Sequence, residues 1–189
     1  MVKILNEMFK GMFAGMAIAL GCCLFLLAPN NIIGAVLCSC GLLCVRIYKL
    51  NLFTGKVQYL VSNTYSLAYY LLILISNLFG VVLVGALTAV LTHDAAVSIA
   101  ATKAVQPFII ALFKGIGCGM LMSLATYKDS PLWLCLICVP AFILAGFNHC
   151  IADVYYALVG WNIGISFIAT IIGNIIGGAM LSNYWIIKS

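Results

Sequence analysis

Charge is the scarcest feature of this chain. Only 7% of its 189 residues are charged, four acidic and nine basic. A soluble domain carries about 25%, so this complement cannot cover a water-facing surface. Histidine and carboxylate are too sparse for a metal centre. The only His–carboxylate neighbours are His93-Asp94 and His149-Asp153, and neither builds a four-ligand set. No nucleophilic triad is visible, so neither an enzyme nor a cofactor is expected. The net charge of +5 is not gathered in any basic run or helix, which excludes nucleic acid as a partner. No small-residue cleavage site closes the first apolar stretch, so it does not read as a signal peptide. No linker, low-complexity tract or soluble domain fits between the apolar segments.

What is abundant is apolar surface. Hydrophobic residues make up 66% of the chain, and the mean hydropathy is +1.23. The chain reads as an all-α integral membrane protein whose surface partner is the lipid bilayer. Its nine cysteines are odd in number and scattered through apolar segments, a poor disulfide framework. Cys135 and Cys138 form a C-x-x-C with no basic or polar neighbour to lower a thiol pKa, so they read as small buried residues.

A spanning helix needs about 20 apolar residues. Segments at about 12–28, 67–91, 107–126 and 163–187 meet that measure. Two more, starting near 32 and 131, are interrupted at Arg46-Ile47-Tyr48-Lys49-Leu50-Asn51 and at Asn148-His149. Thr92-His93-Asp94 onward to Lys103 reads as a polar link. The expectation is a single transmembrane domain, 1–189, of six helices with the second and fifth broken. Thr54 and His149 lie 95 residues apart, as do Met12 and Pro107. Two halves, about 1–92 and 104–189, are therefore expected as three-helix repeats, of opposite topology because three spans is an odd number. Matched broken segments in inverted halves point to a transport site at mid-membrane. With both termini in the cytoplasm, Lys3, Lys10, Lys56, Lys128 and Lys188 fall inside and Lys103 outside. Gly11-Met12-Phe13-Ala14-Gly15 and Gly173-Asn174-Ile175-Ile176-Gly177-Gly178 supply small residues for close helix contact.

The breaks hold the candidate chemistry. An ionisable residue at membrane depth is costly and defaults to function. His149 either lines a pore or bonds backbone freed by the break. Thr54 either caps a re-entering helix or offers its hydroxyl to an anion, and such helix starts attract negative charge. Asn174 joins helices or faces the path. Lys114 either snorkels or pairs with Asp153. Arg46 and Lys49 either satisfy carbonyls of the broken segment or attract anions.

Three ordered motifs resemble the formate/nitrite transporter family. Leu52-Phe53-Thr54-Gly55 is similar to its Leu-Phe-Thr-Gly/Ser. Gly146-Phe147-Asn148-His149-Cys150-Ile151-Ala152-Asp153 is similar to its Gly-Phe-Glu-His-Ser-x-Ala-Asn, and Gly173 to Gly178 resembles its Gly-Asn-Ile-Ile-Gly-Gly. The resemblance implies an aquaporin-like fold and a homopentamer in a prokaryotic cytoplasmic membrane. It implies passage of formate, nitrite, hydrosulfide or a short carboxylate, together with protons. His149, Thr54 and Asn148 would form the pore centre, with Leu42, Phe142 and Phe53 as apolar constrictions. Lys103 and Asn174 would favour an anion, alongside Arg46 and Lys49.

Departures from the family pattern concentrate at the breaks. Asn148 stands where it has Glu, Cys150 where it has Ser, and Asp153 where it has Asn. Arg46 and Lys49 occupy a mostly apolar stretch, and Cys38 replaces a bulky aromatic residue. The mechanism expected from the residues is protonation of a weak acid at His149, which removes most of the cost of moving its charge past an apolar ring. The alternatives are a neutral-solute or gas pore on the same fold and a non-transporting subunit.

Overall fold

Three residues after the first helix ends at Leu27, Asn30 starts the next. Its side chain accepts the N–H groups of Ile32 and Ile33 at 3.1 and 3.0 Å, an N-cap that turns the chain back on itself. The computed structural model describes the backbone of residues 2–188 and the side chains of residues 2–181. Lys188, one of the inner-side cations expected from the sequence, lies outside the described side chains. Among the described residues the structure is helical without strands. α1 (Val2–Leu27) is followed by α2 (Asn31–Ile47), the short α3 (Phe53–Lys56) with a 3-10 turn at Val57–Tyr59, and α4 (Leu67–Ala104). α5 (Phe108–Thr126), a 3-10 turn (Leu132–Leu134), α6 (Cys135–Leu144), α7 (Cys150–Val159) and α8 (Ser166–Lys188) complete it. Both interruptions expected from the sequence are present, between α2 and α3 and between α6 and α7.

One expected link is helix instead. α4 runs for 38 residues straight through Thr92-His93-Asp94, about 57 Å at 1.5 Å per residue. The polar side chains there have found partners, so the helix need not break. The Thr92 hydroxyl donates to the Thr88 carbonyl at 3.0 Å and shares a bond with the Tyr155 hydroxyl at 3.0 Å. His93 Nδ1 donates to the Val159 carbonyl at 2.7 Å.

α1 packs along α4 and α2, α5 along α8, α7 on α4, and α2 against α6. Small residues set the closest approaches: a side chain on Gly15 would strike the Asn77 carbonyl, and one on Gly119 the Asn174 carbonyl. The usual distribution of polarity is reversed. Leu87, Val90 and Leu91 of α4 are largely exposed, while Thr54, Asn77, Ser123, Asn148, His149 and Asn174 are buried. That is the arrangement for a solvent of lipid, with polar groups satisfied internally. α1, α4 and α5 are long and apolar enough to cross a membrane.

The same local structure recurs 97 residues apart. Leu50 N–H donates to the Val45 carbonyl and Phe147 N–H to the Phe142 carbonyl, both at 2.9 Å. Asn51 N–H reaches the Lys10 carbonyl and Asn148 N–H the Lys114 carbonyl, both at 3.3 Å. Lys49 and Gly146 both adopt left-handed backbone, with φ of 52° and 68°. The recurrence therefore runs at 97 rather than the 95 read from sequence. The position equivalent to His149 is Leu52, and the one equivalent to Thr54 is Ile151.

Candidate functional site

Two buried asparagines hold the half-helix starts. Asn77 Oδ1 accepts the Phe53 N–H that opens α3 at 2.8 Å, and its amide donates to the carbonyls of Gly11 and Asn51, both at 2.8 Å. Asn174 repeats the pattern: its Oδ1 accepts the Cys150 N–H that opens α7 at 2.9 Å, and its amide donates to Gly115 and Asn148 carbonyls at 2.9 and 2.8 Å. Each side chain satisfies three backbone groups that a helix break would leave bare. Asn174, expected to face an anion, is thus committed to backbone. Sequence reasoning missed Asn77, although an asparagine inside an apolar span at the matching position was the available signal.

His149 sits at the N-cap of α7. Its Nδ1 accepts the Ala152 N–H at 3.1 Å, so in the neutral ring the proton is on Nε2, which donates to Thr54 Oγ1 at 2.9 Å. The two residues expected at the centre are therefore in direct contact, and both are buried. Leu52, at the equivalent position of the first half, makes no side-chain cap. The Phe142 ring stacks on the imidazole at 5.6 Å between centroids and 19° between planes.

Two cavities open toward opposite ends of α2 and α5. The larger, about 580 Å³, is walled by His149, Phe142, Phe147, Lys103, Lys114 and Asp153. The smaller, about 310 Å³, is walled by Val45, Arg46, Lys49, Leu52, Lys56 and Tyr59 among others. Each of these six smaller-cavity residues has its counterpart, 97 positions on, in the wall of the larger cavity. Leu42 and Phe53 are buried and belong to neither wall, whereas Phe142 is in the larger one.

The charged residues are arranged differently from the expectation. Lys103 lies 2.9 Å from Asp153 Oδ1 and donates to Asn148 Oδ1 at 2.8 Å. Asp153 thus pairs with Lys103, not Lys114. The reason is reach: Lys103 ends α4 beside the second break, whereas Lys114 Nζ stands near Gly146 in the cavity wall. Asn148 is held further by its amide, donating to Gln106 Oε1 at 2.8 Å and Thr170 Oγ1 at 3.2 Å. The Arg46 guanidinium donates to the carbonyls of Ala125, Tyr127 (3.0 Å) and Ser130 (2.6 Å), tying the end of α2 to the end of α5. Those carbonyls belong to α5 and the turn after it, not to the broken segment itself. Among the described residues Lys49 makes no ion pair, and it lines the smaller cavity. Asn51, the counterpart of Asn148, donates to Glu7 Oε2 at 2.9 Å.

Apolar helices turned outward around a polar, buried centre define a multi-pass helical membrane protein. The chain belongs to the formate/nitrite transporter family, whose model matches residues 2–186. Among solved structures it is similar to a pentameric formate channel with formate bound, at 20% identity over 98% of each chain with a TM-score of 0.77. It is also similar to an FNT family ion channel, at 22% identity over 98% of this chain and 90% of that one, with a TM-score of 0.74. No curated protein matches it significantly in sequence.

Proposed function

We propose that the chain is a pore for small monovalent anions of weak acids: formate, nitrite, hydrosulfide or a short carboxylate. The carrying observation is the His149–Thr54 contact beside a cavity walled by Phe142 and basic residues. The 97-residue recurrence supports two inverted three-helix repeats, with the breaks meeting at the pore centre. Membership of the family, and likeness to a formate channel described as pentameric, support a homopentamer with one pore per protomer. In this reading Leu42 and Phe53 line the constriction between the cavities, and Phe142 closes it on the His149 side.

The imidazole's bonding refines the proton step. Direct donation needs an imidazolium, and forming one would break the Nδ1 bond to Ala152 N–H. Neutral His149 instead donates Nε2–H to Thr54 Oγ1, leaving the Thr54 hydroxyl proton free to bond the anion or a water. The weak-acid anion takes up a proton from the bulk on the side it enters, crosses the apolar ring neutral, avoiding the desolvation of a bare charge, and releases the proton on the other side. Lys49 and Lys56 at one mouth and Lys114 at the other raise the local anion concentration.

One observation favours the neutral-solute alternative: Asp153 neutralises Lys103 in the larger cavity. Isotope uptake into proteoliposomes separates the readings. Because the acid crosses neutral with its proton, weak-acid transport predicts uptake of formate or its analogues that rises as external pH falls and does not follow membrane voltage. Passage of a neutral solute responds to neither, and a non-transporting subunit passes nothing.

A further inference from the structure

Asp153 is the carboxylate in the wall of the larger cavity. It stands on the first turn of α7, and its Oδ1 faces the Lys103 ammonium at 2.9 Å. Asn148 Oδ1 accepts a second Lys103 proton at 2.8 Å. An ammonium has three donors, so the protein itself holds two of those on Lys103. A carboxylate is an unexpected choice for this wall, because left bare it repels any anion. The side chain is shared between the Lys103 ammonium and the His149 backbone N–H at the helix start. The equivalent position in the first half is Lys56, a cation in the smaller cavity's wall. Measured against the motif Gly-Phe-Glu-His-Ser-x-Ala-Asn, the acid and the amide have exchanged places, giving Asn148 and Asp153.

We propose that Asp153 is a tethered stand-in for the transported anion. Its carboxylate occupies the Lys103 ammonium in the resting pore, and a small monocarboxylate or comparable oxyanion displaces it to reach that ammonium. This rests on the reading that the cavity admits monovalent anions. The displaced carboxylate stays in the cavity wall, beside a recess of about 20 Å³ shared by Asp153, Lys103, Asn148 and Thr170 among others, with room for one water to solvate it. A tethered competitor acts at an effective concentration of about millimolar or more, so it weakens apparent affinity without touching the pore centre. Asp153 then sets the concentration range over which the pore responds.

The test is the concentration dependence of formate flux into proteoliposomes. D153N keeps the shape, removes the competing charge and lowers KM about fivefold or more. In a K103Q background the same substitution leaves KM unchanged, because no ammonium remains to compete for. An unchanged KM in folded D153N, with the wild type carrying formate, overturns the proposal. A wild type that carries no anion of the panel removes the proposed function, and this inference with it. An infrared difference spectrum of wild-type protein labelled with ¹³C-aspartate is independent of any variant. Formate addition should shift an aspartate carboxylate stretch, and a spectrum without an aspartate signal contradicts displacement.

Discussion

The two breaks share a backbone and differ in charge. Val45 to Tyr59 and Phe142 to Tyr156 make the same turn, with the same left-handed residue and the same asparagine bracing the re-entering helix. Upon that common scaffold, Arg46 corresponds to Ile143, Lys49 to Gly146, Lys56 to Asp153, and Leu52 to His149. The first break carries cations and a leucine at the helix start. The second carries the histidine and an acid, Asp153, that neutralises Lys103 at the end of α4. The scaffold is symmetric because backbone at membrane depth has few ways to be satisfied. The chemistry is asymmetric because the side chains mounted on that scaffold differ at these four positions.

The largest expected effect comes from breaking the ion pair that only the second break has. K103M strands the Asp153 carboxylate and should cost about 3–5 kcal/mol of stability, read as a fall in thermal unfolding in detergent. K56M at the corresponding position loses its contact over the Tyr65 ring, 5.6 Å away, and a through-space attraction to Glu7, and should cost about 1 kcal/mol. Comparable losses would mean that the two positions do not differ as described.

The asparagines should behave alike. N77L and N174L each leave three buried backbone groups without a partner, a loss of about 3 kcal/mol or more in either half. A silent N77L beside a crippling N174L would break the equivalence of the two helix starts.

The smallest effects sharpen the comparison at the left-handed position. A non-glycine residue there costs about 1–2 kcal/mol, so K49G should raise stability by about 1 kcal/mol and G146A should lower it by a similar amount. K49G should also reduce anion capture at the smaller cavity, seen as a weaker dependence of flux on ionic strength. Retention of Lys49 in this conformation fits a cation kept for its charge.

Much of this was legible in sequence because apolar runs and their interruptions follow from the bilayer itself. His149, Thr54 and both breaks stood out as polar groups in segments that otherwise exclude them. The continuity of α4 did not, because Thr92 and His93 become tolerable only through Tyr155 and Val159, far away in sequence. Lys103 was read as a cation that favours an anion, and Arg46 either as one or as a partner for carbonyls of the broken segment. Their partners, Asp153 and the carbonyls at the end of α5, appear only when helices are packed. The register of the repeat slipped by two residues because apolar boundaries are soft, whereas the hydrogen bonds of Asn77 and Asn174 fix it.

The central claim is that His149, through its Nε2–H bond to Thr54, serves the moving anion. His149→Asn isolates that role, since asparagine is a good N-cap for α7 but cannot supply the Nε2–H. The decisive measurement is formate uptake by proteoliposomes at acidic external pH, comparing folded His149→Asn with wild type. The account predicts a fall of about a hundredfold. Uptake equal to wild type, with the same dependence on pH, would contradict it.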